Sequence, residues 1–385
     1  MKIGIDARTL STSRAISRYT KNIIEWLLRL DRENDYFLFV ENERLLRLVP
    51  VIAQQLPGLR YQPVIVSKKI LLRDHFFLRD TMDNIGLDLF FHPDNSELLF
   101  CHPNSIVTIH DCTPWKYPEL VYSRSPLMRF RQQIYTRLQT IALRRSSRHL
   151  IAVSENTKRD LISVLNFDPE DISVIYEGIE SLFRPIPEVS DIEKVKRKYK
   201  ITGEYIFYLG GFEEHKNVER LFKAFGEVGA HNLKLVLGGQ PDERSGYLTD
   251  LASDLGMSER IAFTGFIEEA DLPYLYSGAV LSVYPSLSEG FGFPPLESMA
   301  CGTPVVLSDR ASLPEIGGQA AVYINPESVD SLAAGISQVL NLYTDKPEGY
   351  KVLADQCRRQ AGLFSWEKCA RETLAVFNKV AGGKK

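Results

Sequence analysis

Short apolar runs alternate along the chain with longer stretches in which apolar residues return every third or fourth position. In the first half the runs of strand character fall at Lys2 to Asp6, Tyr36 to Val40, Leu87 to His92, Ser105 to Ile109, His149 to Val153 and Ile172 to Tyr176. After the first of them, Tyr19, Ile23, Leu27 and Leu30 share one helical face, the spacing of a helix packed on a sheet. The second half repeats the alternation, from the EYIFYL strand through an amphipathic helix carrying Val218, Leu221, Phe222 and Phe225. Strands follow at Leu233 to Leu237, Arg260 to Thr264, Ala279 to Tyr284, Val305 to Leu307 and Ala320 to Ile324. Short buried strands separated by helices predict the α/β class, with parallel sheets covered on both faces.

Two domains are expected from 385 residues, each large enough for its own core. The run FRPIP, Phe183 to Pro187, is a stiff connection and the expected hinge, which bounds the domains at 1–182 and 188–362. Ser365 caps a last helix over 365–381.

Composition narrows the classes. The chain as given opens directly on a strand and holds no run of ~18 apolar residues, so a cytoplasmic protein is expected. Cys101, Cys112, Cys301, Cys357 and Cys369 are scattered, form no C-x-x-C pair, and are expected to be buried thiols without a disulfide or zinc site. Residues 1–180 hold 24 Lys and Arg against 22 Asp and Glu, and the remainder 22 against 27. That small asymmetry is concentrated between Leu120 and Ser154, where seven arginines (Arg124, Arg129, Arg131, Arg137, Arg144, Arg145, Arg148) meet no acid. Phe130, Ile134, Leu138 and Ile141 recur there at helical spacing. One reading packs this apolar stripe on the domain with cations outside; the other places the segment against an anionic membrane surface or a lipid-linked diphosphate. Nucleic acid is not expected, since no recognition motif accompanies the charge. Lys68, Lys69, Arg73, His75, Phe76, Phe77 and Arg79 would extend the same surface or form an acceptor loop.

The densest chemistry lies in LSVYPSLSEGFGFPPLESMACGTPVVLSD, Leu281 to Asp309, which reads strand, tight loop, short helix, strand. Pro294 and Pro295 suit a first helical turn, and Gly302 with Pro304 ends the helix. Glu289 and Glu297 stand eight positions apart, with Gly290, Phe291, Gly292 and Phe293 between them. The glycines permit close backbone approach, and free N–H groups at a helix start suit phosphate or sugar oxygens. Glu297, expected in the first helical turn, could accept from a ribose diol, with Glu289 nearer whatever the diphosphate carries. Acids at a helix start also simply complement its dipole. Elsewhere, His110 and Asp111 follow a buried strand at its carboxyl end, where ligands bind in open α/β sheets. Lys216 stands just before a helix, where a cation could neutralise a departing diphosphate.

The pattern EGFGFPPLE followed by SMACGTPVV closely resembles the donor-binding motif of the retaining GT-B glycosyltransferases of glycosyltransferase family 4, and the likeness runs from MKIGIDAR to FSWEKCARETL. It implies two Rossmann-like domains facing across a cleft, with acceptor bound mainly by the first, nucleotide sugar by the second, and the last helix crossing back to the first. By that resemblance His110, Glu289 and Lys216 carry the reaction, Glu297 holds the ribose, and the Phe291, Gly292 and Phe293 backbone holds sugar hydroxyls. HKN resembles the family's RKN phosphate clamp; the arginine found there or after the strand glycine is replaced by His215 and Gly211. Gly265 and Phe266 would border the base. The family's G-x-G-R-Y reads Ala15, Ile16, Ser17, Arg18, Tyr19 here, so both phosphate-loop glycines are lost, Ser17 standing for the second. No D-x-D motif is present, which implies transfer without a metal and without any cofactor beyond the donor. DART, TIHD and PPLE look most like bacterial mannosyltransferases of polysaccharide and O-antigen assembly, suggesting GDP-mannose and a saccharide or lipid-linked saccharide acceptor. UDP-glucose or UDP-N-acetylglucosamine donors, a sugar-nucleotide epimerase, and a catalytically weak scaffold stay open as alternatives.

Overall fold

The computed structural model describes all residues except 12–13, 67–71, 96–101, 122–125, 230–231, 241–242 and 383–385. The chain divides into two compact units, Met1–Gly178 with Ser365–Lys385, and Ile179–Phe364. The division falls before the expected hinge. Phe183 is 5% exposed and packs with Tyr205, Phe207 and Tyr276 in the second unit's core, so FRPIP belongs to that unit.

In the first unit β1 (Lys2–Asp6) leads into α1 (Arg14–Leu30), followed by β2 (Asp35–Val40), β3 (Tyr61–Ile65) and α2 (Leu72–Ile85). Then come β4 (Leu89–His92), β5 (Ser105–Ile109), α3 (Pro126–Ser146), β6 (Ser147–Ala152), α4 (Glu155–Leu165) and β7 (Ile172–Val174). Their sheet runs β3-β2-β1-β4-β5-β6-β7, every pair parallel. Parallel pairing with helical crossovers buries both faces, which is why β1, β4 and β5 read as nearly unbroken apolar runs. The edge strand β3 carries Pro63 and is half-exposed, so it lacked that pattern. The C-terminal helix Trp366–Gly382 packs on α1 in this unit.

The second unit holds β8 (Tyr205–Leu209), α5 (Val218–Glu227), β9 (Lys234–Gly238), β10 (Ile261–Gly265), α6 (Leu272–Ser277), β11 (Leu281–Tyr284), α7 (Phe293–Ala300), β12 (Val305–Ser308) and β13 (Val322–Ile324). The order is β10-β9-β8-β11-β12-β13, again all parallel. Both sheets are Rossmann-like. In each, the chain builds outward one way from its first strand and then jumps back to build the other way, creating a switch point between β1 and β4 and between β8 and β11. Loops leaving the carboxyl ends of the strands at such a point part to either side and form the crevice where ligands bind.

The structure narrows two readings that the sequence leaves open. The apolar stripe of α3 does not pack on the domain: Phe130, Ile134, Leu138 and Ile141 are all exposed. The aromatic and basic stretch from Lys68 is helical from Leu72 onward as the start of α2; Lys68 and Lys69 lie outside the described residues, as do Arg124 and Cys101. Cys112, Cys301, Cys357 and Cys369 are buried free thiols. Among the described residues no helix is long and apolar enough to cross a membrane.

Candidate active site

At the second switch point the loops after β8 and β11 converge. Beyond Gly210 and Gly211 the chain makes one tight turn, Glu214–Lys216, and Asn217 then takes a left-handed conformation (φ 61°) ahead of α5. Its Nδ2 donates to the carbonyls of Pro285 (3.0 Å) and Pro326 (2.7 Å), fastening this turn to the loop after β11. The Leu287 N–H donates back to the His215 carbonyl at 2.7 Å. So held, Lys216 Nζ donates to both Glu289 oxygens, at 2.9 and 3.0 Å. Ser286 Oγ adds a donor to Glu289 Oε1 at 2.8 Å. Burial opposes ionisation of Glu289, but the Lys216 ammonium, these hydrogen bonds and the nearby His215 outweigh it, and the carboxyl is held below its ordinary value. The paired side chains are about one-fifth exposed, 21% and 19%, so a ligand can reach them.

The loop that follows is pinned from beneath. Ser312 Oγ lies 3.0 Å from the Glu289 carbonyl and 2.6 Å from that of Phe291. The Phe291 ring is buried edge-on against Phe293 and Phe364, so it serves the core while its backbone shapes the loop. Gly292, the cap of α7, takes φ 120°, ψ 58°, a conformation side chains disfavour, and a Cβ there would press on Leu313 and Pro295. Because Phe293 opens α7, Glu297 falls in its second turn rather than the first. Glu297 as a whole is 2% exposed, with Oε2 accepting from Tyr276 of α6 at 2.8 Å. Gly265 ends β10, and the strand ends are stitched together by Gly239 N–H to Gly265 O (3.1 Å) and Gly210 N–H to Gly238 O (3.0 Å). Gly211 is fixed by its carbonyl, which accepts from Tyr208 Oη at 2.6 Å.

The first unit places a second cluster at its own switch point. His110, just beyond β5, donates from Nδ1 to Glu177 Oε1 (2.9 Å) and from Nε2 to the Pro93 carbonyl (2.8 Å), in the arrangement both N–H groups of a charged ring require. Burial works against that charge, yet the Glu177 carboxylate, Asp94 and the Pro93 carbonyl push the ring up to about 9. Tyr19 of α1 sets its ring edge-on to His110 (4.8 Å) and its hydroxyl 3.1 Å from Thr108 Oγ1. Ala15, Ile16 and Ser17 fall in the first turn of α1, and Ser17 Oγ donates to the Leu10 carbonyl at 2.9 Å. The open N–H groups of that turn are those ahead of Ser17, at Arg14, Ala15 and Ile16. At the end of β1, Arg8 donates from Nε and Nη2 to the buried Asp6 carboxylate (2.9 and 2.6 Å).

Thus Lys216, His215, Gly211 and Glu289 come together in the second unit, and Ser17 and His110 share the first through Tyr19, whereas the Glu297 carboxylate sits inside the core. Glu177, Ser286, Ser312, Asn217 and Tyr276 escaped the sequence reading. Glu177 had a signal: an acid just past a predicted strand, at the same sheet edge as His110. Among the described residues no group of His, Cys, Asp or Glu is placed to hold a metal ion.

Two family models cover most of the chain, "Glycosyltransferase Family 4" over residues 16–181 and "Glycosyl transferases group 1" over 191–356. The chain belongs to glycosyltransferase family 4. The first model takes in Ser17, His110 and Glu177, the second Lys216, Glu289 and Glu297. The O-antigen chain mannosyltransferase B of Escherichia coli is 29% identical to this glycosyltransferase over 328 residues, 83% of this chain and 81% of that one. The O-antigen chain mannosyltransferase RfbU of Salmonella typhimurium is 29% identical over 239 residues, 62% of each chain. A crystal structure of Anabaena HepE in complex with UDP-glucose superposes with a TM-score of 0.75 over 98% of this chain and 99% of that one, at 16% identity, and shares the GT-B fold.

Proposed function

We propose that this glycosyltransferase moves mannose from GDP-mannose to a saccharide or lipid-linked saccharide during assembly of a cell-surface polysaccharide, with retention at the anomeric carbon. The observation that carries the reading is the Lys216 and Glu289 pair at the second switch point, a cation and a carboxylate already joined where a sugar diphosphate would lie. The mannosyltransferase relatives supply the choice of sugar. An incoming diphosphate takes Lys216 from Glu289, and the freed carboxylate accepts from sugar hydroxyls. Charge grows on the diphosphate as its bond to the anomeric carbon breaks, and a fixed ammonium stabilises that state more than the ground state. Gly211 and His215 line the phosphate turn, the Phe291 to Phe293 backbone meets the sugar, and Gly265 borders the base. Glu297 reaches the ribose only if Tyr276 yields its hydrogen bond. Within the first unit, the imidazolium of His110 and the start of α1, where Ser17 lies, offer positive charge of their own. The acceptor oxygen forms the new bond to the anomeric carbon, and its proton passes to the departing phosphate oxygen, so no protein nucleophile is needed. The ammonium and backbone donors carry the diphosphate without a metal. A lipid carrier on the acceptor would bring the protein to the inner face of the cell membrane as a peripheral partner.

Calorimetric titration of the wild type, Lys216→Ala and Glu289→Gln with GDP-mannose, UDP-glucose and UDP-N-acetylglucosamine tests the reading. GDP-mannose should bind, and Lys216→Ala should weaken it by roughly tenfold or more. NMR of the product should show the donor's anomeric configuration kept. Preference for a UDP-sugar would replace the donor, and binding of none would leave a scaffold with a lost phosphate site.

A further inference from the structure

Helix α3 packs with its polar face inward. Thr136 and Gln139 are each only 8% exposed, Gln139 Nε2 donates to the Asn95 carbonyl (3.1 Å), and Trp115 Nε1 donates to Thr140 Oγ1 (2.9 Å). Below them Ala142 and Leu143 enter the core formed with Leu150 and Leu161. On the opposite side stand Leu127, Phe130, Ile134, Leu138 and Ile141, between 42% and 69% exposed. Their spacing of three, four, four and three sets them in one straight stripe along the helix. Arg131 and Arg137, both exposed, fall on either flank of that stripe, and Arg145 extends it toward the helix end. No acid occurs between Glu119 and Glu155. A soluble protein normally turns such a stripe to its core; here the polar face holds the helix to the domain and the apolar face is left outside.

We infer that α3 lies in the interface of an anionic lipid bilayer, its apolar stripe among the outer acyl carbons and its arginines at the lipid phosphates. Met128 and Tyr135, 51% and 46% exposed, widen the stripe past Arg131, and interfacial helices lay such a large-residue face among the acyl chains with their cations at the headgroups. The alternative occupant with the same shape is a second copy of the chain, but apposing two such stripes would set arginines against arginines with no acid on either helix to separate them. An exposed helix is also a ridge, which enters a lipid headgroup layer without the complementary groove a protein partner must supply. The inference rests on the proposed lipid-linked acceptor for its purpose, since docking would bring the first unit to the carrier's depth, but not for its evidence.

The test is co-sedimentation of the full chain with phosphatidylcholine vesicles made with and without phosphatidylglycerol, at low and high salt. The wild type should bind the anionic vesicles, at least roughly tenfold less tightly without phosphatidylglycerol or in high salt. Phe130→Glu combined with Ile134→Glu and Leu138→Glu should abolish binding, and Arg131→Gln with Arg137→Gln should reduce it. All variants are titrated with GDP-mannose, whose affinity they should keep, which shows that they fold. Absence of wild-type binding, or binding by the triple variant equal to wild type, would overturn the inference. So would a dimer seen by light scattering that the triple variant dissolves, since the stripe would then be a self-interface. If vesicles bind and GDP-mannose does not, the docking surface stands and the donor reading falls; the reverse result removes the surface and keeps the donor.

Discussion

A histidine whose two ring nitrogens both donate cannot take a proton, so the role proposed for His110 is one of charge and position, not of a base. The same geometry makes it a stabilising group with a defined pH range. Its pKa is raised from the ordinary 6.5 to about 9, so the folded state binds the proton more tightly than the unfolded chain does. The stabilisation is complete below pH 6.5 and is lost as pH rises through 9. Urea unfolding of the wild type and His110→Asn across that range should therefore converge, the difference shrinking by up to about 3 kcal/mol toward the alkaline end. Parallel curves would mean that Glu177 and His110 do not form a charged pair. At the second switch point, Lys216→Ala leaves the Glu289 carboxylate without its cation. Thermal unfolding should register about 1–3 kcal/mol of lost stability, with Lys216→Arg losing less. The residue types of this pair were legible because a lysine before a helix and an acid before a glycine loop each have a chemical meaning. The pairing itself was not, because 73 positions of chain separate them and only the switch point joins them.

At the scale of elements, strands buried on both faces were the legible part. β1 and β5 fall where the apolar runs placed them, and the exposed Pro63 strand did not declare itself. Helix α3 was legible as a helix but not in its orientation, since periodicity reports that a stripe exists and not which side the rest of the chain covers. The glycine loop is the element whose local geometry matters most for the site. Gly292→Ala puts a Cβ at φ 120°, within 3.2 Å of Leu313 Cδ2 and 3.3 Å of Pro295 Cγ. Relief requires the cap of α7 to shift, and the shift is transmitted to the Phe291 carbonyl that Ser312 holds. The expected cost is about 1–3 kcal/mol of stability together with roughly tenfold weaker donor binding, read by calorimetry on the same sample. A loss of stability with donor affinity intact would show that the cap and the ligand loop are mechanically separate.

The whole molecule is two units made from three stretches of chain, because the helix after Phe364 completes the unit that the first 178 residues began. Its return is tight. A Cβ on Gly178 would collide with the Trp366 backbone nitrogen, so the outgoing and incoming stretches of chain pass in contact at that glycine. Beyond it Trp366, Cys369, Thr373, Val376 and Phe377 are buried, with Phe377 edge-on to Phe91 of β4 at 5.2 Å and Trp366 beside Tyr19 at 5.8 Å. Removing one large aromatic from a core costs about 3–5 kcal/mol, and a domain's whole stability is only about 5–15, so loss of this helix exceeds what the first unit can bear. The second unit keeps every group of its own core and of the Lys216 turn. A chain ended at Phe364 should therefore lose hydrogen-exchange protection throughout residues 1–178 while residues 179–364 stay protected and still bind the free nucleotide. Loss of protection in both stretches would show that the second sheet depends on the first for its stability, and a first unit left intact would show that the C-terminal helix only rests on a fold already complete.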